Sequence, residues 1–221
     1  MRVAIPIYEG FTALDAIGPY EVLQNVPGNQ VLFCAPEPGT YRTEQNQLGL
    51  AADHAFAEVT EPDIVVVPGG LGNRRWIEGA NEYTEWLAAV HGRTTWTTSV
   101  CTGALLLAAA GILDGVDAAT HWAARDALAR LGANPLAERV VERGKIVTAA
   151  GVSSGIDMAL RLVERTNGPE VAQAVQLAIE YDPDPPYDTG SLEKAPPELA
   201  ELVRTVMQDQ DAATAERLGL A

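Results

Sequence analysis

Short apolar segments that favour β-strands alternate along this chain with segments that favour helices, and this alternation limits the possible folds more than any other feature. Pro and Gly residues bound the apolar segments, whereas Ala, Leu, Arg and Glu dominate the helical ones. Strands separated by helices pair in parallel through crossover connections, so we predict an α/β fold with three layers. The predicted strands are 3–8, 30–35, 63–67, 94–100 and 146–149, and the predicted helices are 19–26, 82–91, 103–111, 122–131, 155–165, 169–180 and 198–217.

Two hairpins and one irregular segment interrupt this alternation. Polar and apolar residues alternate over 41–52, which predicts a small hairpin outside the main sheet, and the Arg143-Gly144-Lys145 turn predicts a second hairpin. Prolines recur over 182–197 and exclude a helix there, which leaves a surface connector, a lid or a dimer contact as its alternatives. We predict one α/β domain over 1–197, with the C-terminal helix of 198–221 packed on it.

Charge and composition narrow the function classes. The chain has 15 basic and 30 acidic residues, and its net charge of −15 opposes binding to nucleic acid or to anionic lipid. The most apolar segment, 104–113, is too short for a membrane span, which needs about 20 residues. The two cysteines cannot form a disulfide framework. We therefore expect a soluble, cytoplasmic protein with a small-molecule substrate.

The segment Thr97-Thr98-Ser99-Val100-Cys101-Thr102-Gly103 places a cysteine between a predicted strand and a predicted helix. This pattern is typical of a nucleophile elbow, a tight turn whose strained central residue points out of the carboxyl edge of the sheet. The helix N-terminus would favour the thiolate form of Cys101. The pattern favours a reactive thiol over the alternative, a buried cysteine that acts as a small hydrophobic residue.

A glycine-rich turn, Pro68-Gly69-Gly70-Leu71-Gly72, follows the strand predicted at 63–67. Glycines let backbone amides approach a ligand closely, so the amides of Gly70 and Thr102 are a candidate pair of oxyanion donors. The turn has neither a GxGxxG pattern nor a phosphate-loop Lys-Ser/Thr pair, and nucleotide binding has no support. No cluster of His, Cys or Asp has the spacing of a metal site.

Asp15 is the candidate acid near the N-terminus. It precedes the helix predicted to begin at Pro19, and it is either a helix cap or a general acid and base beside Cys101. Apolar surroundings would raise the pKa of its carboxyl and allow proton donation at neutral pH. Glu21 is the competing carboxylate, and His121 is either a base or a structural histidine.

Several segments together resemble those of the ThiJ/PfpI superfamily, which is related to the class I glutamine amidotransferases. Within it, residues 151–157 and 180–191 are similar to the isonitrile hydratase family at the same chain positions. The resemblance extends from Val3 to about Pro197. The segments that carry the superfamily resemblance are Leu14-Asp15 with Gly18-Pro19, Pro68-Gly69-Gly70, Ser99-Val100-Cys101-Thr102-Gly103 and Thr120-His121-Trp122.

This resemblance implies a flavodoxin-like sandwich, a homodimer, and catalysis without a metal or organic cofactor. In the hydratases the catalytic set is the elbow cysteine, the threonine after it and an N-terminal aspartate. Those roles fall here on Cys101, Thr102 and Asp15. The implied reaction is the hydration of an isonitrile, R–N≡C, to an N-substituted formamide. Ile17 departs from the expected pattern and is a candidate pocket residue that affects substrate choice.

Other functions of this superfamily remain open. The same thiol could act on small aldehydes, as in glyoxalase-like or deglycase-like relatives, although these usually pair the cysteine with a glutamate and a nearby histidine. A protease is disfavoured, because Thr102 stands where the proteases have histidine. A redox- or ligand-sensing module is the third alternative, but only 24 residues follow Pro197, too few for a DNA-binding unit with its own core.

Overall fold

The computed structural model describes residues 1–220 and contains a seven-stranded central sheet with two small two-stranded sheets. The strands are β1 (Arg2–Pro6), β2 (Gln30–Ala35), β3 (Gly39–Arg42), β4 (Gly49–Ala52), β5 (His54–Ala55), β6 (Ile64–Val67), β7 (Trp96–Val100), β8 (Asp117–Ala118), β9 (Asn134–Pro135), β10 (Val140–Arg143) and β11 (Ile146–Ala149). The order in the central sheet is β10-β11-β7-β6-β1-β2-β5, and every neighbouring pair is parallel except β10 with β11. This is the predicted mostly parallel α/β architecture, so the fold-class prediction is confirmed.

The helices form two groups, each packed against the sheet. One group brings α1 (Ala13–Gln24), α6 (Ser154–Asn167) and α7 (Pro169–Ala178) together. The other group is built around α4 (Gly103–Ala109), which contacts α2 (Arg74–Ile77), α3 (Glu82–His91) and α5 (Arg125–Arg130). The last helix, α8 (Pro197–Leu218), contacts the short 3-10 turn Leu71–Asn73 that follows β6.

The central strands are apolar along their whole length because helices cover both faces of a parallel sheet. All four residues of β6 are buried, as are the last four of β1. The β6 strand lies between β1 and β7 in the sheet, so the loops that follow these three strands meet at one carboxyl edge. This edge is where ligands bind in open α/β sheets.

Helix α1 begins at Ala13, well before the predicted start at Pro19. Thr12 is the N-cap residue and Pro19 lies inside the helix, so the cap prediction for Asp15 is wrong. A proline in a helix lacks the N–H that would bond the carbonyl four residues earlier, here that of Asp15. Asp15 therefore occupies the first helical turn, with its side chain buried.

Both predicted hairpins are confirmed: β3 pairs antiparallel with β4, and β10 with β11. Residues 182–196 contain no helix or strand, as their prolines predicted. The domain boundary after residue 197 stays a prediction, and Ala221 of the predicted 198–221 segment lies outside the described residues. No helix among the described residues is long and apolar enough to cross a membrane.

Candidate active site

Cys101 lies in a strained turn between the end of β7 and the start of α4. Its φ of 58° is in the left-handed region, which non-glycine residues seldom adopt. Its backbone N–H donates to the carbonyls of Ala149 and Ala150, at 3.1 and 3.0 Å. The Thr120 hydroxyl donates to the Cys101 carbonyl at 2.9 Å. These bonds hold the predicted elbow in place, so the strain belongs to the native turn.

The glycine after the elbow allows α4 to start directly against the neighbouring strand. A Cβ at Gly103 would lie 2.1 Å from the carbonyl oxygen of Val67, far inside contact distance. A residue with a side chain would push α4 away from β6 and change the orientation of the elbow. The small-residue pattern of the sequence thus has a steric cause at this position.

Asp15 is fully buried beside the elbow. Its Oδ2 accepts a hydrogen bond of 2.9 Å from the Gly69 amide, and its Oδ1 has no regular hydrogen-bond partner among the described residues. Burial raises the pKa of this carboxyl to about 8, while hydrogen bonding to the Gly69 amide and to the Cys101 thiol offsets part of the rise. Asp15 is therefore an acid that holds its proton at neutral pH.

The Cys101 thiol is also protonated at neutral pH, contrary to the expected thiolate. Burial raises its pKa well above the ordinary value, and the neighbouring Asp15 raises it further. The Thr102 amide lowers it as a donor to the sulfur, but this stabilisation of the anion is the smaller effect. Loss of hydration thus outweighs the helix N-terminus, and the resting site holds a neutral acid next to a neutral thiol.

Three successive amides of the glycine-rich turn bind side chains from three distant segments. The Gly69 amide binds Asp15, the Gly70 amide donates to Thr102 Oγ1 at 2.9 Å, and the Leu71 amide donates to Glu44 Oε1 at 2.8 Å. Of the two amides predicted as oxyanion donors, that of Gly70 therefore donates to the Thr102 side chain, and that of Thr102 donates to the Cys101 sulfur. Thr102 Oγ1 accepts from Gly70, so its own hydrogen is available to another group.

A cavity of about 460 Å³ opens over Cys101 and Thr102. Its walls come from the loops at the carboxyl edge, from α5 and from α8. Asp15 lies beneath this cavity and is not part of its surface. Beside Cys101 and Thr102, its lining includes Glu44, His121, Met207, Asp211 and Thr214.

Two other residues that the sequence suggested for the site, Ile17 and Glu21, lie away from the cavity. Ile17 is half-buried on α1 but does not line the cavity, so its predicted pocket role is wrong. Two helical positions from Asp15 turn a side chain by about 200°, which places Ile17 on another face. Glu21 is exposed and accepts from the Gln24 amide group, so it is not the competing carboxylate.

His121 lines the same cavity as Cys101, which no spacing in the sequence indicated. Its Nδ1 accepts from the Ala123 amide at 3.3 Å, so the remaining proton of the neutral ring lies on Nε2. Burial, helped by Arg125, lowers the pKa of this imidazole. Its tight fit is visible at Gly151, where a Cβ would lie 2.2 Å from the ring.

Sequence reasoning missed Glu44 and the contribution of α8. Glu44 lies in the β3–β4 hairpin turn, and Met207, Asp211 and Thr214 lie on a helix more than a hundred residues after the elbow. Neither segment carries a catalytic motif, so no local signal could have placed them in the site. Within residues 1–220, no group of three or more His, Cys, Asp or Glu is placed to hold a metal ion.

Several known proteins are similar in sequence to this chain. The model of the DJ-1/PfpI family matches residues 1–165. The isonitrile hydratase of Pseudomonas putida is 36% identical over 204 residues, which cover 92% of this chain and 89% of that protein. The HTH-type transcriptional regulator GbdR of Pseudomonas aeruginosa is 32% identical over 54% of this chain, but the match covers only 33% of the regulator.

Solved structures show the same architecture. A ThiJ/PfpI family protein from Pseudomonas syringae superposes with a TM-score of 0.89 at 32% identity, covering 98% of this chain and 89% of that one. DJ-1beta of Drosophila melanogaster superposes with a TM-score of 0.74 at 20% identity, covering 82% and 98%. The second likeness is one of fold alone, whereas the first extends through α8.

Proposed function

This chain belongs to the DJ-1/PfpI family, and on that premise we propose that it is an isonitrile hydratase. The reaction would convert R–N≡C and water into an N-substituted formamide. The observation that carries the proposal is the fully buried carboxyl of Asp15, whose pKa burial raises, beside the elbow thiol of Cys101. The similarity to the Pseudomonas putida hydratase, which extends over most of both chains, supports the same reaction.

The first step would join the isonitrile carbon to sulfur. The terminal carbon of an isonitrile accepts a proton and then a nucleophile. The proton donor, Asp15, and the nucleophile, Cys101, are both in their neutral forms. Asp15 gives up its proton to that carbon, the Cys101 sulfur bonds to the same carbon, and the thiol proton returns to Asp15. The product is a thioimidate, Cys101–S–CH=N–R, and no net charge is created in the buried site.

The Thr102 hydroxyl is the proposed route for the proton, because Asp15 does not line the cavity. The position that a Cβ would take at Gly69 lies 2.6 Å from Thr102 Oγ1 and 2.9 Å from Asp15 Oδ2, so both oxygens lie close to Gly69. Thr102 Oγ1 would accept the Asp15 proton while its own hydrogen passes to the substrate. The Gly70 amide fixes this oxygen in position.

The second step would return the thiol. Through the Thr102 hydroxyl, Asp15 protonates the imidate nitrogen and takes a proton from a water that attacks the thioimidate carbon, which gives Cys101–S–CH(OH)–NH–R. The C–S bond then breaks, and the hydroxyl proton passes through the carboxyl group to sulfur. The formamide R–NH–CHO leaves, and both side chains regain their starting protons.

A second candidate function is supported by His121. This imidazole lines the same cavity as the thiol, and a cysteine with a nearby histidine is the arrangement expected for action on small aldehydes. The hydratase remains the first choice, because the acid beside the elbow is an aspartate, Asp15, whereas the relatives that act on aldehydes usually have a glutamate. The sensing module has no comparable support from the geometry.

Parallel assays distinguish the two chemistries. We expect the purified protein to convert cyclohexyl isonitrile to N-cyclohexylformamide and to leave methylglyoxal unchanged. Chromatography measures the formamide that is formed. Cys34→Ala is the matched control, because Cys34 is also buried but lies in β2, away from the cavity. Consumption of methylglyoxal without formamide formation would favour the aldehyde function instead.

A further inference from the structure

Glu44 joins the two loops that carry the acid and its amide donors. Its Oε1 accepts from the Leu71 amide at 2.8 Å, and its Oε2 accepts from the Thr12 hydroxyl at 3.0 Å. Thr12 is the N-cap residue of α1, three positions before Asp15. The Thr12 amide in turn donates to the Gly69 carbonyl at 2.8 Å, so the two loops are linked at both backbone and side-chain level.

The backbone around Glu44 is also fixed from two sides. The Glu44 amide donates to the Phe11 carbonyl at 3.2 Å, and the Arg217 guanidinium of α8 donates to the Glu44 carbonyl. The hairpin turn is thus held between the β1–α1 loop and the C-terminal helix. This places the carboxylate at the wall of the cavity rather than in open solvent.

Charge is the second property of this residue. Burial raises the pKa of the Glu44 carboxyl and Asp211 raises it further, whereas the Leu71 amide and the Thr12 hydroxyl lower it, because donors favour the ionised carboxylate. The titratable and charged groups around it are Asp15 on α1, Cys101 at the elbow, Tyr8 in the loop after β1, Arg217 on α8, and Asp211 on α8, which is paired with Arg74 at 3.6 Å. Proximity of Glu44 raises the pKa of Asp15, of Cys101 and of Tyr8.

We propose that Glu44 is a positioning residue of this site. Its carboxylate fixes the start of α1 against the glycine-rich turn, and it keeps a negative charge at the edge of the acid–thiol pair. It neither touches the sulfur nor enters the proton route. The positioning role rests on the proposed hydratase function, but the electrostatic effect on Cys101 does not.

The test is the pH dependence of Cys101 alkylation by iodoacetamide, measured by mass spectrometry of the Cys101 peptide. Glu44→Gln removes the charge and keeps both contacts, because the amide oxygen still accepts from Leu71 and the amide nitrogen can donate to the Thr12 hydroxyl. We expect its alkylation curve to move to lower pH by roughly 0.5 to 1.5 units, the effect of one nearby charge in a partly solvated site. Alkylation near pH 8 is then several-fold faster than in the wild type.

Two further variants make the result specific. Glu9→Gln is the matched control, since Glu9 also accepts a backbone amide, that of Arg42 at 2.8 Å, but does not line the cavity. Its curve is expected to coincide with that of the wild type. Thr12→Val removes one contact and keeps the charge, so its curve stays in place while kcat on the isonitrile falls.

Coincident curves for Glu44→Gln and the wild type would overturn the proposal, and so would an equal shift in Glu9→Gln. If circular dichroism shows that Glu44→Gln does not fold, the Thr12→Val variant tests the proposal instead. A shift of the Thr12→Val alkylation curve would overturn it, because geometry rather than charge would then set the reactivity of Cys101. Alkylation needs no isonitrile. A shifted curve in a protein that hydrates no isonitrile would therefore contradict the hydratase proposal but support the electrostatic effect of Glu44 on Cys101.

Discussion

The reactivity of Asp15 and Cys101 is decided by burial at the residue scale. The sequence indicated both residues through a strand–turn–helix pattern and a family resemblance, and the structure brings them together. The sequence could not indicate whether these two groups are protonated, because desolvation depends on atoms supplied by the whole fold. The expected thiolate was wrong for this reason: the helix N-terminus is a local feature, whereas the loss of hydration is not.

The raised pKa of Asp15 predicts a pH limit on turnover. The proposed first step needs the protonated carboxyl, so kcat/KM on an isonitrile is expected to fall as pH rises through about 8. Initial rates of formamide formation across the pH range test this directly. A rate that instead rises through this region would indicate that a free thiolate, rather than a neutral acid–thiol pair, is the reactive form.

The same shift predicts the effect of Asp15→Asn on stability. The folded pKa of about 8 exceeds the ordinary value of 3.8, so the folded state holds this proton more tightly. Burying the carboxyl costs little below about pH 4, and the cost grows until pH passes about 8. Relative to the wild type, Asp15→Asn should therefore gain stability with rising pH, on the order of several kcal/mol by about pH 9. Urea unfolding at a series of pH values measures it, and a difference independent of pH would contradict the shift.

Local patterns predicted most elements and their order, and the errors have identifiable causes. The five predicted strands and both hairpins follow from short apolar segments bounded by turn residues. The start of α1 was missed because Gly18-Pro19 is typical of a helix start, whereas tertiary packing extends the helix back to Ala13. That extension carries Asp15 from a cap position into a helical turn that faces the elbow.

The glycine-rich turn predicts a sharp steric effect at Gly69. A Cβ there would lie 2.6 Å from both Thr102 N and Thr102 Oγ1, and 2.9 Å from Asp15 Oδ2. Gly69→Ala must therefore displace Thr102, Asp15 or both, and we expect kcat/KM to fall at least about 100-fold, with a loss of about 1–3 kcal/mol in stability.

Gly190→Ala is the control for that change. Nothing lies within 4 Å of a Cβ at Gly190, which belongs to the exposed segment before α8. Its activity and its thermal midpoint should stay at wild-type values. Unchanged kcat/KM in Gly69→Ala would mean that the proposed proton route from Asp15 through Thr102 is not used in the reaction.

The cavity is a property of the whole molecule. Its base comes from the carboxyl edge of the sheet, and α8 supplies Met207, Asp211 and Thr214 to its wall. The Arg75 guanidinium donates to the Leu218 carbonyl at 3.1 Å and helps to hold the end of α8 over the site. Long-range closure of this kind leaves no mark in a local sequence pattern, which is why Glu44 and the contribution of α8 to the cavity wall were missed, although the helix itself was predicted. The homodimer implied by the family resemblance stays a proposal.

Comparison of three proteins tests the central claim most directly: the wild type, Cys101→Ala and Asp15→Asn. The measured quantity is the rate of N-cyclohexylformamide formation from cyclohexyl isonitrile at about pH 7. The wild type should turn over, and each variant should lose at least about a thousandfold in rate, because in the proposed reaction the sulfur and the carboxyl act on the same carbon. Full activity in either variant would contradict the account.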